Sequence, residues 1–186
     1  LFAGYDVVGL DYHADSPCDA ISEFKEFFHR YRKGYDSIIL IANSIGAYFS
    51  MCAFNHEQID KAFFISPIVD MEKLILDMMG WADITEEKLR EKQLITTGFG
   101  ETLSWEYLCY VRNHPVNWSV PTCILYGDKD NLTSQETIHK FANDVDAELT
   151  IMQNGMLFFQ DAGRKKTLIY NLLDKLPKGN LITDLN

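Results

Sequence analysis

The chain has 186 residues, of which 47% are hydrophobic, and carries a formal net charge of −10. That length and apolar content suffice for one domain with a sizeable core. The acidic balance argues against a nucleic-acid partner, which needs clustered Lys and Arg, and no apolar run reaches the ~20 residues that span a bilayer as a helix.

The basic residues cluster only briefly, at Arg30-Tyr31-Arg32-Lys33 and Arg164-Lys165-Lys166, and read as solvated helix ends. Cys18, Cys52, Cys109 and Cys123 form no CxxC pair and no cluster with histidines. Unpaired thiols in apolar stretches, as at Cys52 and Cys123, point to a reducing, cytoplasmic location. Asn117-Trp118-Ser119 and Asn131-Leu132-Thr133 match the glycosylation sequon, with nothing else to suggest secretion.

In chain order, Asp6-Val7-Val8-Gly9-Leu10-Asp11 reads as a buried strand. Ser16-Pro17 supplies an N-cap and a first-turn proline. Ala20, Ile21, Phe24, Phe27, Phe28 and Tyr31 follow at helical spacing, and Gly34 stops the run. Ile38-Ile39-Leu40-Ile41 opens a second strand, and a helix from Ser44 to about Phe54 follows it. Lys61 to Ser66 is a third strand, ended by Pro67.

Between about 70 and 120 the pattern changes. Met71, Leu74, Ile75, Met78 and Met79 mark one apolar helix face, Thr85-Glu86-Glu87 opens a charged helix, and Gly98-Phe99-Gly100 is a break. Leu103 to Val111 reads as an aromatic-rich helix, so the segment is expected to be a helical cap insertion. Pro121 to Tyr126 is a fourth strand, and Thr133 with Glu136 suggests a capping box for the helix through Phe141. Ala147 to Met152 is a fifth strand, Asn154-Gly155 a turn, and a closing helix is expected from about Arg164 to Leu176, before Pro177. Strands alternating with helices imply an α/β fold: a mainly parallel sheet with helices on both faces. The whole chain, 1–186, reads as one domain, its core formed by 1–69 and 121–186.

Chemistry is expected beyond the carboxyl ends of the strands. In Ala42-Asn43-Ser44-Ile45-Gly46 a serine follows an apolar strand, with small residues two positions before and after it. This is the pattern of a nucleophile elbow, where two backbone segments come close. Asp128 and Asp130 follow the fourth strand, and Asp70 lies a few residues past the third. A serine nucleophile needs a base for its proton and a carboxylate to orient that base.

With the elbow, the helical insertion and Leu125-Tyr126-Gly127-Asp128-Lys129-Asp130 in view, residues 1 to about 155 resemble an α/β-hydrolase of the serine esterase, thioesterase and peptidase type. The resemblance implies Ser44 as nucleophile, Asp130 as triad acid and the backbone N–H of Ile45 as an oxyanion-hole donor. It also implies further strands and a second oxyanion donor upstream of Leu1. The family's histidine follows the last strand, where this chain reads Asn154-Gly155-Met156-Leu157-Phe158, with Leu157 about where it belongs. No histidine follows His139. His13 lies just after the first strand and is the best placed substitute. His29 and His139 fall in helices, His56 in a loop, and His114 precedes a proline near the end of the insertion.

The expected function is therefore a serine hydrolase acting on a small ester, thioester or amide, impaired for lack of a base; its partner is a small-molecule acyl substrate. The alternative is a non-catalytic small-molecule-binding or interaction protein on the same scaffold. No metal site or cofactor is expected: no His–carboxylate pair has ligand spacing in a promising loop. His13-Ala14-Asp15-Ser16-Pro17 stands where a flavodoxin-like domain would carry a Gly-rich phosphate loop.

Overall fold

The computed structural model describes residues 5–14, 16–54, 59–153 and 180–183. It divides into two compact units, Leu1–Val69 with Asn117–Asn186, and Asp70–Val116.

In the first unit the strands are β1 (Val7–Gly9), β2 (Ile38–Asn43), β3 (Lys61–Ile65), β6 (Thr122–Gly127), β7 (Glu148–Met152) and β8 (Asn180–Thr183), and the helices are α1 (Pro17–Arg32), α2 (Ser44–Phe54) and α6 (Gln135–Asp144). The sheet runs β1-β8-β2-β3-β6-β7, and every pairing is parallel. The five predicted strands are present, with ends shifted by a residue or two, but β1 is not buried as expected: among the described residues it is an edge strand, with Val7 and Gly9 exposed. The sixth, β8, is a departure from the predicted set: it lies between β1 and β2, Leu40 pairing with Ile182 and Ile182 with Val8. The predicted turn at Asn154-Gly155, Leu157 and the closing helix lie outside the described residues.

Consecutive residues of β2, β3 and β6 are buried, as in a sheet covered on both faces. Ile39, Ile41, Phe63, Ile65, Cys123 and Leu125 form one core cluster, and full burial of each such aliphatic or aromatic side chain is worth about 1.5–3 kcal/mol. Ser16 caps α1 by accepting the Asp19 N–H, with Pro17 in the first turn. Phe24 and Phe28 of α1 pack edge-on or tilted against Phe49 and Phe54 of α2. This fixes the helix that begins at Ser44.

The second unit contains α3 (Met71–Trp81), α4 (Glu86–Lys92), β4 (Leu94–Thr96), β5 (Thr102–Ser104) and α5 (Trp105–Asn113). It is not wholly helical as expected, because β4 and β5 pair as an antiparallel hairpin. Gly98-Phe99-Gly100 is the hairpin's turn, and Gly100 adopts a φ of 98° that favours glycine. Leu103 pairs with Ile95, so the predicted helix starts later, at Trp105, where the Ser104 side chain accepts the Tyr107 N–H. Arg112 of α5 ties α3 to α4, contacting Glu72 at 2.6 Å and both carboxylate oxygens of Glu86 at 2.7 and 2.8 Å. Among the described residues no helix is long and apolar enough to cross a membrane.

Candidate active site

Because the sheet is parallel, β2, β3 and β6 all end at one edge. Ser44 turns the chain from β2 into α2 with a φ of 50°, a left-handed conformation that costs a residue with a Cβ about 1–2 kcal/mol. Ala42 and Gly46 on either side are buried, while Ser44 itself is half-buried. The N–H of Ile45 belongs to the first turn of α2, whose N–H groups have no intrahelical acceptor and carry the positive end of the helix dipole. That turn holds no acidic side chain.

Ser66 follows β3 with a φ of 41°. It is fully buried, and its N–H donates to Leu125 O at 2.8 Å. The loop beyond it joins the other two strand ends. The Ile68 N–H donates to Ser44 O at 3.0 Å, and the buried Thr133 hydroxyl donates to Pro67 O at 3.1 Å. Thr133 therefore does not cap α6 as expected. Its hydroxyl is committed to Pro67, and Ser134 caps the helix by accepting the Thr137 N–H.

Asp130 sits in the turn after β6, its N–H donating to Gly127 O at 3.0 Å. Its Oδ1 accepts the N–H groups of Leu132 and Thr133 at 2.8 and 3.2 Å. Among the described residues its Oδ2 is buried without a hydrogen-bond partner, as are Ser66 Oγ and Asn43 Oδ1. Burial pushes the Asp130 carboxyl above the usual aspartate range, opposed by the two N–H donors and by the nearby Ser66 hydroxyl, which stands outside hydrogen-bonding geometry. Tyr126 braces the loop from below: its buried hydroxyl donates to Thr133 O at 2.7 Å. Burial, reinforced by the charges of Asp130 and Asp128, pushes that phenol up to about 12.

The other candidates have different roles. Asp70 caps α3 by accepting the Lys73 N–H at 2.9 Å. The Asp128 N–H bonds Met152 O at 3.1 Å. His13 is exposed, with its backbone N–H 3.4 Å from a Glu23 carboxylate oxygen. His29 contacts Lys25 O at 2.6 Å. His114 stacks on Tyr110 with centroids 4.1 Å apart, its ring nitrogen meeting Tyr110 O at 2.9 Å. His139 is exposed on α6, and His56 lies outside the described residues. Burial pushes the Cys52 thiol up to about 11, which disfavours a thiolate nucleophile there. Among the described residues no three His, Cys, Asp or Glu side chains gather as metal ligands would.

No family model matches the sequence, and no curated protein matches it. Solved structures do match. Est1E from Butyrivibrio proteoclasticus superposes with a TM-score of 0.66 at 14% identity, over 90% of this chain and 85% of that one. The mouse alpha/beta hydrolase domain-containing protein 10 gives 0.62 at 14% identity, over 84% and 70%. An alpha-beta serine hydrolase homologue from Coxiella burnetii gives 0.56 at 18%, over 89% and 62%. The chain has an α/β-hydrolase fold.

On this α/β-hydrolase scaffold, Ser44, Ile45 and Asp130 lie at the carboxyl edge of the parallel sheet, where the sequence put them. Sequence reasoning missed Ser66 and Thr133, the residues beside and behind Asp130. The only signal for Ser66 was a polar residue closing an apolar run before Pro67, which also fits an ordinary strand end.

Proposed function

We propose that the chain is a serine hydrolase acting on a small ester, thioester or amide, with Ser44 as nucleophile, the Ile45 N–H as oxyanion donor and Asp130 as the acid that orients a base. The observation that carries this reading is the hydrogen-bonded path Ser44–Ile68, Pro67–Thr133, Thr133–Asp130, which couples a strained serine to a carboxylate whose second oxygen has no donor among the described residues. None of the four histidines among the described residues is bonded to that carboxylate. Loss of the base from a serine triad costs about six orders of magnitude in turnover and leaves about 10³–10⁴ over water, so this chain is a slow hydrolase at best. The domain reads as a core, 1–69 and 121–186, with a cap of about 70–120. Unpaired cysteines favour a cytoplasmic location.

A fluorophosphonate tests the nucleophile directly. The reading expects a slow adduct, mapped by mass spectrometry to Ser44 and absent from Ser44→Ala; a folded protein that never labels there overturns it. The missing histidine favours a second reading, a non-catalytic small-molecule binder, for which ligand-induced stabilisation persists in Ser44→Ala without turnover.

A further inference from the structure

Two large rings of the second unit stand in water. Trp81, the last residue of α3, is 55% exposed, and Phe99, at the hairpin turn, is 48% exposed. They meet at a corner, with centroids 6.2 Å apart and planes inclined at 69°. At that inclination neither ring stacks flat on the other, and each keeps face area open to solvent. The backbone beside them is bare. Gly80 precedes Trp81, Gly98 and Gly100 flank Phe99, and a Cβ added at any of the three would meet nothing within 4 Å. Only Gly100 has a φ that favours glycine. Gly80 lies in the last turn of α3, where glycine weakens a helix relative to alanine and no close neighbour demands it.

The charge around this corner has one sign. Asp83 and Glu101 each stand two residues past a ring, and both are exposed. Neither 74–87 nor 93–111 contains a Lys or Arg; the bases of α4 lie between these segments. The last turn of α3 carries the negative end of the helix dipole and holds no basic side chain. The ion pairs of this unit join Lys73 to Asp77 and Arg112 to Glu72 and Glu86, so among the described residues Asp83 and Glu101 are not engaged in one.

We propose that the Trp81–Phe99 corner is a surface site for a small quaternary ammonium ion of the choline type. A cation is attracted to an aromatic face when it lies within about 6 Å of the ring centroid. Centroids 6.2 Å apart let a single ion meet that condition for both rings. The methyl groups of such an ion cover apolar ring surface, while its charge suits Asp83 and Glu101. Having no N–H, it loses no hydrogen bond to water on arrival, unlike a primary ammonium. An anion meets carboxylates of its own sign, and a neutral apolar molecule leaves them unanswered. The site lies within one unit and does not depend on the chemistry proposed for Ser44.

The test titrates choline chloride into the intact chain, with sodium chloride adjusted to hold ionic strength constant. The indole N–H resonance of Trp81 and the ring resonances of Phe99 report binding. The matched control is the neutral carbon isostere of choline, which carries tert-butyl in place of trimethylammonium. Expected are saturable shifts at both rings, with the isostere weaker by roughly fivefold or more, since each exposed ring contributes about two- to fivefold through its face. Trp81→Leu and Phe99→Leu, each followed at the remaining ring, should lose about two- to fivefold. Phe99→Tyr keeps a π face and should bind as the native chain does, and Asp83→Asn with Glu101→Gln should weaken binding. Phosphatidylcholine vesicles separate the two sources of the same group. Co-sedimentation that free choline displaces places the lipid headgroup in this site; saturable choline shifts without co-sedimentation assign it to the free ion. Equal binding of choline and its isostere, native affinity in Trp81→Leu, or equal sedimentation with phosphatidylglycerol vesicles overturns the proposal.

Discussion

Ile68 donates its backbone N–H to the carbonyl oxygen of Ser44 across 3.0 Å, so the residue that turns β2 into α2 is held from the loop after β3. This bond helps to keep Ser44 at a φ of 50°. Ser44→Ala keeps the Cβ in that conformation, whereas Ser44→Gly removes it, and both lose the hydroxyl. Ser44→Gly is expected to be the more stable variant by roughly 0.5–1 kcal/mol, after allowing for the greater freedom of glycine in the unfolded chain. Denaturant midpoints compared at equal slope decide it; the reverse order would mean that the elbow stores no strain.

Thr133 links the acid loop to Pro67 through a buried hydroxyl, 5% exposed. Thr133→Val preserves the shape and removes the donor, leaving Pro67 O without this bond. The expected cost is about 1–2 kcal/mol, together with faster amide exchange at Leu132 and Thr133, whose N–H groups hold Asp130. Unchanged exchange at those two amides would show that the loop does not depend on this tie.

What was legible in the sequence was what local chemistry determines. Ala42-Asn43-Ser44-Ile45-Gly46 announced a strand-to-helix turn because only small residues tolerate the close approach there. Ser16-Pro17 announced a helix start because capping acts within one turn. What was not legible depended on partners distant in sequence. Thr133 and Ser134 are equally good caps on paper, and only the carbonyl of Pro67 decides between them. β8 is a four-residue strand whose neighbours lie more than a hundred residues earlier, and periodicity carries no record of pairing. The hairpin of the second unit was hidden because Leu103 fits both a short strand and the start of an aromatic helix. The burial of Ser66 and the donor-free oxygen of Asp130 follow from packing alone.

The Asp130 carboxyl sits above its ordinary range, chiefly through burial. A folded state that holds its proton to higher pH than the unfolded chain loses stability as pH rises through the interval between the two values, and stays lower above it. Below the ordinary aspartate range both states are protonated and the effect is absent. Asp130→Asn keeps the Oδ1 acceptor and cannot ionise. Its stability relative to the native chain is therefore expected to improve from acid toward neutral pH, read as urea midpoints across that range. A native chain that gains on Asp130→Asn as pH rises would show that the carboxylate is stabilised by a donor.

Cys18 is exposed, whereas burial raises the thiols of Cys52, to about 11, and of Cys123. At mildly alkaline pH a maleimide or disulfide reagent is expected to modify Cys18 rapidly and Cys52 and Cys123 only on the timescale of opening, with all four reacting in denaturant. Rapid labelling of Cys52 in the folded chain would remove the packing of α2 as the support for the elbow.

β8 tests how the sheet is closed. Ile182 pairs with Leu40 on one side and Val8 on the other, so its strand is interior and needs its backbone donors on both edges. Ile182→Pro removes an N–H and clashes with continuous pairing, whereas Ile182→Val keeps the backbone and the β-branched character. The proline variant is expected to lose at least about 1–3 kcal/mol. Displacing β8 leaves β1 and β2 with unpaired edges facing each other, and such edges recruit other chains. Concentration-dependent association should therefore accompany the loss in Ile182→Pro, with Ile182→Val remaining like the native chain in both respects. A proline variant with native stability and an unchanged sedimentation profile would place β8 outside the cooperative sheet.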